Sequence, residues 1–168
     1  VGAGTPQGIL PGGTNALGLT EVVSGHASLL TWDGLIGLSL AVPTQYRNGA
    51  CWVMERATIT AIAKLKGADN AYLWNPFQYA GGAENVPMRL LGYPVKEQEV
   101  MPSIGAGTYP ILFGNFGGYS IYDRVGLTVE RYLDSATAEI NQIKYVMRRR
   151  VGGQLTESFK MAVQKVSA

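Results

Sequence analysis

The last fifty residues constrain this chain most. From residue 119 it reads YSIYDRVGLTVERYL, then a short turn, then INQIKYVMRRRVGGQL. Leu127, Val129, Arg131 and Leu133 alternate with Thr128, Glu130 and Tyr132, and Ile143, Tyr145, Met147 and Val151 alternate with Lys144, Arg148 and Arg150. A period of two is that of a β-strand. Turn residues near 134–138 join the two stretches and predict a long antiparallel hairpin. Behind it, Phe159, Ala162, Val163 and Val166 fall at i, i+3, i+4 and i+7, with Thr156 placed to cap them. That spacing predicts a closing helix. The segment carries no catalytic constellation and reads as surface made to lie against neighbouring copies.

The arginine triplet Arg148, Arg149 and Arg150 sits inside the second strand. Alternate strand side chains point to opposite faces, so Arg149 opposes its two neighbours. The triplet therefore predicts ion pairs on both faces, or a subunit contact, rather than one basic patch for nucleic acid. Residues 119–168 hold eight Lys/Arg and five Asp/Glu, so the small net charge of +2 is concentrated there.

Composition adds a second constraint. Of the 168 residues only 15% are charged, while 46% are hydrophobic. An ordinary soluble domain carries roughly 25% charged residues. Surface that is neutral or apolar is usually covered by another chain. The length allows one good-sized core or two small lobes.

Ahead of the hairpin the elements are shorter. Residues 1–19 have loop composition, and 21–23 predict a short strand. Thr31 caps a helix starting at Trp32, with Leu35, Leu38 and Val42 on one face and Pro43 ending it. Residues 51–54 (CWVM) predict a strand. Thr58 is placed to cap a second helix that buries Ile59, Ile62 and Ala63 and stops at Gly67. Residues 71–74, 89–95 and 110–114 predict further strands, with Pro94 marking an edge or a bulge. Composition shifts near residue 28 and at Gly117-Gly118 suggest lobe boundaries there.

Chemistry is sparse. His26 is the one histidine and Cys51 the one cysteine, so a closed zinc site and an internal disulfide are both out of reach. Cys51 lies beside Trp52 and Val53 and reads as an inert thiol, in keeping with a reducing compartment. The glycine-rich opening has no following lysine and fails as a phosphate loop. No G-x-S-x-G elbow accompanies His26, and Glu97 and Glu99 in KEQE read as solvated. No apolar run reaches membrane-spanning length, and the start shows no signal-peptide pattern. The expectation is no enzyme, no cofactor, no small-molecule substrate and no membrane partner.

Six stretches, in order, resemble the tailed-phage major capsid family with the Hong Kong 97-type fold. Gly4-Thr5-Pro6-Gln7-Gly8-Ile9-Leu10 is similar to a G-x-G-x-x-P-x-G-I-L segment, here shortened. Tyr46 to Met54 is similar to Y-R-x-N-A-x-W-V-M-N, with Gly49 and Glu55 where asparagine is usual. Thr58 with Ile62-Ala63-Lys64-Leu65-Lys66 and Tyr72-Leu73-Trp74 follows. Leu91-Gly92-Tyr93-Pro94-Val95 is similar to L-G-x-P-V. Phe113-Gly114-Asn115-Phe116 with Tyr119-Ser120-Ile121-Tyr122-Asp123-Arg124 is similar to G-D-F…Y-x-I-x-D-R, Asn115 replacing the aspartate. Arg148 to Gly153 with Ser158-Phe159-Lys160 completes the set.

The resemblance implies an α+β fold with an axial lobe over 28–118, and a peripheral lobe from 1–27 and 119–168 that includes the long antiparallel hairpin. It implies self-association into hexamers and pentamers of an icosahedral shell around non-specifically held double-stranded DNA, in the virion and, during assembly, in the host cytoplasm. The family's N-terminal arm, extended loop and spine helix have no counterpart in these residues, so this portion alone is expected to assemble poorly. The loops at 75–88 and 101–109 are expected to make contacts around the symmetry axis. Tyr79, Glu84, Asn85, Ile104, Tyr109, Arg148, Arg149 and Arg150 are the candidate interface residues. A nanocompartment shell of the same fold, a hydrolase using His26 with a serine, and an aromatic sugar- or peptide-binding module stand as alternatives.

Overall fold

The computed structural model describes residues 6–76, 88–132 and 139–167. Its elements run β1 (Thr20–Val23), α1 (Trp32–Ala41), β2 (Cys51–Met54), α2 (Arg56–Ala63), β3 (Arg89–Leu90), β4 (Tyr93–Glu97), β5 (Ile111–Gly114), β6 (Tyr119–Tyr132), β7 (Lys144–Leu155) and β8 (Met161–Lys165). Six strands form one mixed sheet in the order β1-β8-β5-β2-β4-β3, and β6 and β7 form a separate two-stranded ribbon.

The sheet is covered on both faces, and strand alternation sorts its side chains. Trp52, Met54, Ile111, Phe113 and Ala162 point to one face, where Leu35, Leu38 and Val42 of α1 and Ile59 and Ile62 of α2 complete the main core. Burying Leu35 and Leu38 alone contributes about 2 kcal/mol each. The Trp52 and Phe113 rings lie 4.4 Å apart, and Trp52 Nε1 donates to Leu90 O at 2.9 Å. Leu112, Met161 and Val163 point the other way, onto Leu19, Tyr109, Ile9 and Leu10.

Helix α1 follows its sequence signals. Thr31 Oγ1 accepts from Gly34 N at 3.1 Å, and the chain turns extended at Val42 before Pro43. The second helix is displaced by about a turn toward the amino terminus. It begins at Arg56 and ends at Ala63, so Thr58 lies inside it, buried, and does not cap it. The strand expected over 71–74 reduces to a single bridge, Lys66 to Tyr72, beyond a tight turn in which Asn70 adopts φ 59°. The strand expected over 89–95 is a hairpin instead. Leu91 and Gly92, both at positive φ, form its two-residue turn, the conformation that suits strand twist.

The expected C-terminal helix is a strand. β8 pairs parallel with β1 and antiparallel with β5, inside the sheet. Met161, Ala162, Val163 and Gln164 are all buried. A strand buried on both faces reads as a continuous apolar run, and such a run also satisfies helical spacing. Thr156 Oγ1 donates to Gly118 O rather than capping a helix. β1 and β8 come from the two segments that flank the middle one, yet both share a sheet with β2 and β5.

Candidate assembly surfaces

The β6–β7 ribbon is the hairpin expected from the alternation. Its ladder runs from Tyr119↔Leu155 at the root to Tyr132↔Lys144 at the far end, with register shifts between Asp123 and Val125 and between Val125 and Thr128. The root is tied to the rest of the chain. Gln7 N donates to Gly153 O at 2.8 Å, Tyr119 Oη donates to Gln7 O at 2.7 Å, and Thr156 N donates to Gly118 O at 3.0 Å.

Beyond the root the ribbon is bare. Ile121 is 72% exposed, Leu127 66% and Met147 67%, and Tyr122, Val129 and Tyr145 are also exposed. Alternation along β7 puts Tyr145, Met147, Arg149 and Val151 on one face, with Val129 opposite Met147 and Asp123 opposite Val151. This face is largely apolar, with Arg131 opposite Tyr145 and one ion pair. Arg149 Nη2 and Nε donate to Asp123 Oδ2 at 2.6 and 3.2 Å, and the carboxylate raises the guanidinium's pKa. On the other face Arg148 Nη1 lies 3.8 Å from Glu130 Oε2. Tyr132 Oη donates to the same Glu130, which pushes the phenol's pKa up. The triplet thus pairs on both faces, as strand geometry requires. Arg150 is exposed and makes no ion pair among the described residues.

The other candidates fall differently. Tyr79, Glu84 and Asn85 lie outside the described residues. Ile104 is half-buried and packs against the main core. Tyr109 is buried, and its hydroxyl donates to Glu21 Oε1 at 3.0 Å. Asn15 Nδ2 donates to the same oxygen at 2.7 Å. Hydrogen bonds from Asn15 and Tyr109, with Lys165 nearby, hold the Glu21 carboxyl below its ordinary pKa against the opposing effect of burial. Tyr109 thereby ties the segment before β5 to Glu21 of β1.

A cleft of about 590 Å³ opens between residues 8–13 and the outer sheet face, lined by Ile9, Leu10, Val53, Leu112 and Phe116. The apolar pair Ile9-Leu10 amid glycines and a proline was the sequence signal for it. A second cleft, of about 510 Å³, brings Arg47 and Arg89 together. These arginines are far apart in the chain, and nothing local marks them as neighbours.

The chemistry weighed from sequence finds little geometry. The one hydrogen bond of the His26 ring among the described residues is accepted by Nδ1 from the Ser28 backbone at 3.2 Å, not from a serine hydroxyl. Burial raises the Cys51 thiol's pKa. Among the described residues no three His, Cys, Asp or Glu side chains are grouped to hold a metal ion, and no helix is long and apolar enough to cross a membrane.

Comparison with known proteins agrees with the order of motifs. A model of the phage capsid family matches residues 1–165. The chain is 32% identical to the capsid of an empty GTA particle computed with C5 symmetry, at a TM-score of 0.77, covering 100% of this chain and 58% of that one. For the native GTA particle capsid the values are 33%, 0.74, 99% and 55%. A structure from Gordonia phage Cozz shares the fold at 15% identity and a TM-score of 0.57, covering 99% of this chain and 56% of that one. No curated protein sequence matches. This chain accordingly spans somewhat over half the length of the capsid chains it matches, and it belongs to the phage capsid family, with the Hong Kong 97-type fold.

Proposed function

We propose that this chain is the shell-forming part of a major capsid protein that assembles with copies of itself into pentameric and hexameric capsomers, closing as an icosahedral shell around double-stranded DNA. The observation that carries the reading is the β6–β7 ribbon. A two-stranded ribbon with apolar side chains exposed along its length is not self-sufficient in water, and contiguous apolar surface of this kind marks an interface. The match to the phage capsid family favours a phage-type capsid over a nanocompartment enclosing enzymes. Contact with DNA would be electrostatic and independent of sequence, through exposed basic residues such as Arg150. The protein would then reside in the virion, and in the host cytoplasm while shells form.

Negative-stain electron microscopy of the full-length protein tests this. Uniform shells, or rings of five and six subunits, are the expected result. A small monodisperse particle at high concentration under every salt condition overturns the reading.

A further inference from the structure

The parallel pair β2–β4 has chemically distinct ends. At its amino end, residues 48–50 just before β2 and residues 92–94 at the start of β4 frame the cleft that holds Arg47 and Arg89. Among the described residues no carboxylate lines this cleft. Arg47 is locked in place: Nε donates to Val42 O at 2.7 Å and Nη2 to Leu40 O at 3.2 Å, capping the end of α1. Arg89 Nη1 donates to Gly92 O at 3.2 Å. A guanidinium carries five donors, and most of these remain without an acceptor among the described residues. Two cations thus face one cleft, with no carboxylate between them among the described residues, and an anion bound there would be attracted by both.

At the carboxyl end the chain carries Glu55, Glu97 and Glu99. Two of them are engaged. Arg56 Nε donates to Glu97 Oε1 at 2.6 Å, and Ser103 Oγ donates to Glu55 Oε2 at 2.9 Å. Glu99 is exposed and makes neither an ion pair nor a hydrogen bond among the described residues. The five residues of β4 separate the two ends by roughly 16 Å. One chain therefore presents an arginine cleft at one end of the strand pair and an unpaired carboxylate in the turn just beyond its other end.

A ring about an axis of more than two subunits needs unlike patches on each copy, and these two ends are unlike. Its contacts are heterologous: a patch on one copy meets a different patch on the next, and the ring closes when the rotation allows. We propose that the Arg47–Arg89 cleft is a carboxylate-binding site whose occupant is Glu99 of a second copy of this chain, so that the head of one subunit docks on the tail of the next. A fork of two guanidiniums suits a carboxylate bidentately. The alternative anion, a DNA phosphate, is less favoured. Sequence-independent binding to DNA needs a row of cations along a surface, and this is a single-headed cleft with two. The inference rests on the capsomer reading above and names one contact within it.

The test is charge reversal in the full-length protein, read by ring and shell counts in electron micrographs and by sedimentation. Parental protein that forms no rings removes the capsomer reading itself. Where the parent assembles, Arg89→Glu alone and Glu99→Arg alone are each expected to lower the assembled fraction about tenfold or more. Arg89→Glu combined with Glu99→Arg is expected to restore it. Both are exposed positions, and an unchanged thermal melt certifies that each variant folds; Arg89→Gln substitutes if Arg89→Glu does not. Single reversals that assemble like the parent, or a combination that rescues nothing, overturn the inference while leaving the capsomer reading intact. So does an Arg89 variant that loses binding to a random-sequence duplex yet assembles normally, which assigns the cleft to phosphate.

Discussion

Gly114 shows how tightly single residues are specified. It ends β5 at φ 150°, and a β-carbon there would run into Lys160 O and lie 2.7 Å from Met161 Cα. Both are backbone atoms at the entry to β8 and cannot step aside. Gly114→Ala is expected to cost about 3 kcal/mol through strain and forced separation of β5 from β8, readable as a lower midpoint in a urea titration. Glu21 offers a titration instead. Its folded pKa lies below the ordinary 4.5, so its contribution is present above about pH 4.5 and fades as the pH falls through the lower folded value. Glu21→Gln is expected to flatten the fall in melting temperature over that acid range and to leave the slope near neutrality unchanged. The hydroxyl of Tyr109 is one of the donors responsible, so Tyr109→Phe is expected to move the acid limb in the same direction.

At the scale of elements, β8 holds a conflict. Gln164 is fully buried, and both its Nε2 and Oε1 lack a hydrogen-bond partner among the described residues. Its amide lies under Gly34 in the first turn of α1, where any side chain would collide with it. An unpaired buried amide costs stability that an apolar group of similar shape does not. Gln164→Met is therefore expected to raise stability by about 1 kcal/mol or more in the same titration. The ribbon behaves oppositely. The Arg149–Asp123 pair is exposed, so Arg149→Ala is expected to change stability by less than about 1 kcal/mol, and less still in high salt.

The same elements show what could be read from the residues. The hairpin was legible because its alternation lasts longer than any helical pattern could imitate. Helix α1 was legible because a cap, an apolar face and a proline all agree. β8 was misread because Phe159, Ala162, Val163 and Val166 fit a helix by spacing, and only pairing with β1 and β5 on either side decides for a strand. Residues 71–74 looked like a strand by composition, but a left-handed turn at Asn70 leaves room for one bridge. The Arg47–Arg89 cleft had no local sign, since it forms only when the β3–β4 turn meets the end of α1.

For the whole molecule, the main partition is between a six-stranded body buried on both faces and a ribbon that is buried on neither. Destabilising the body should unfold the chain, whereas changing the ribbon should alter what the chain sticks to. Ile121→Lys with Met147→Lys is expected to leave the melting temperature within a few degrees of the parent and to suppress concentration-dependent self-association in sedimentation velocity. A drop in melting temperature matching that of Gly114→Ala would show that ribbon and body fold as one unit.

The two register shifts in β6 then acquire a mechanical meaning. Between Asp123 and Thr128 one strand advances two residues more than its partner, and interruptions of this kind concentrate bend and twist. The root is clamped by Gln7, Tyr119 and Thr156, while among the described residues the outer half has no hydrogen bond or ion pair to the body. The ribbon is thus a cantilever with its compliant joint near Gly126. A bend at that joint re-aims the outer half of the described ribbon, up to Tyr132 and Lys144, while the sheet behind it keeps its shape. Under the proposed capsomer reading, that is what one chain needs in order to meet neighbours across both flat and sharply curved parts of a closed surface.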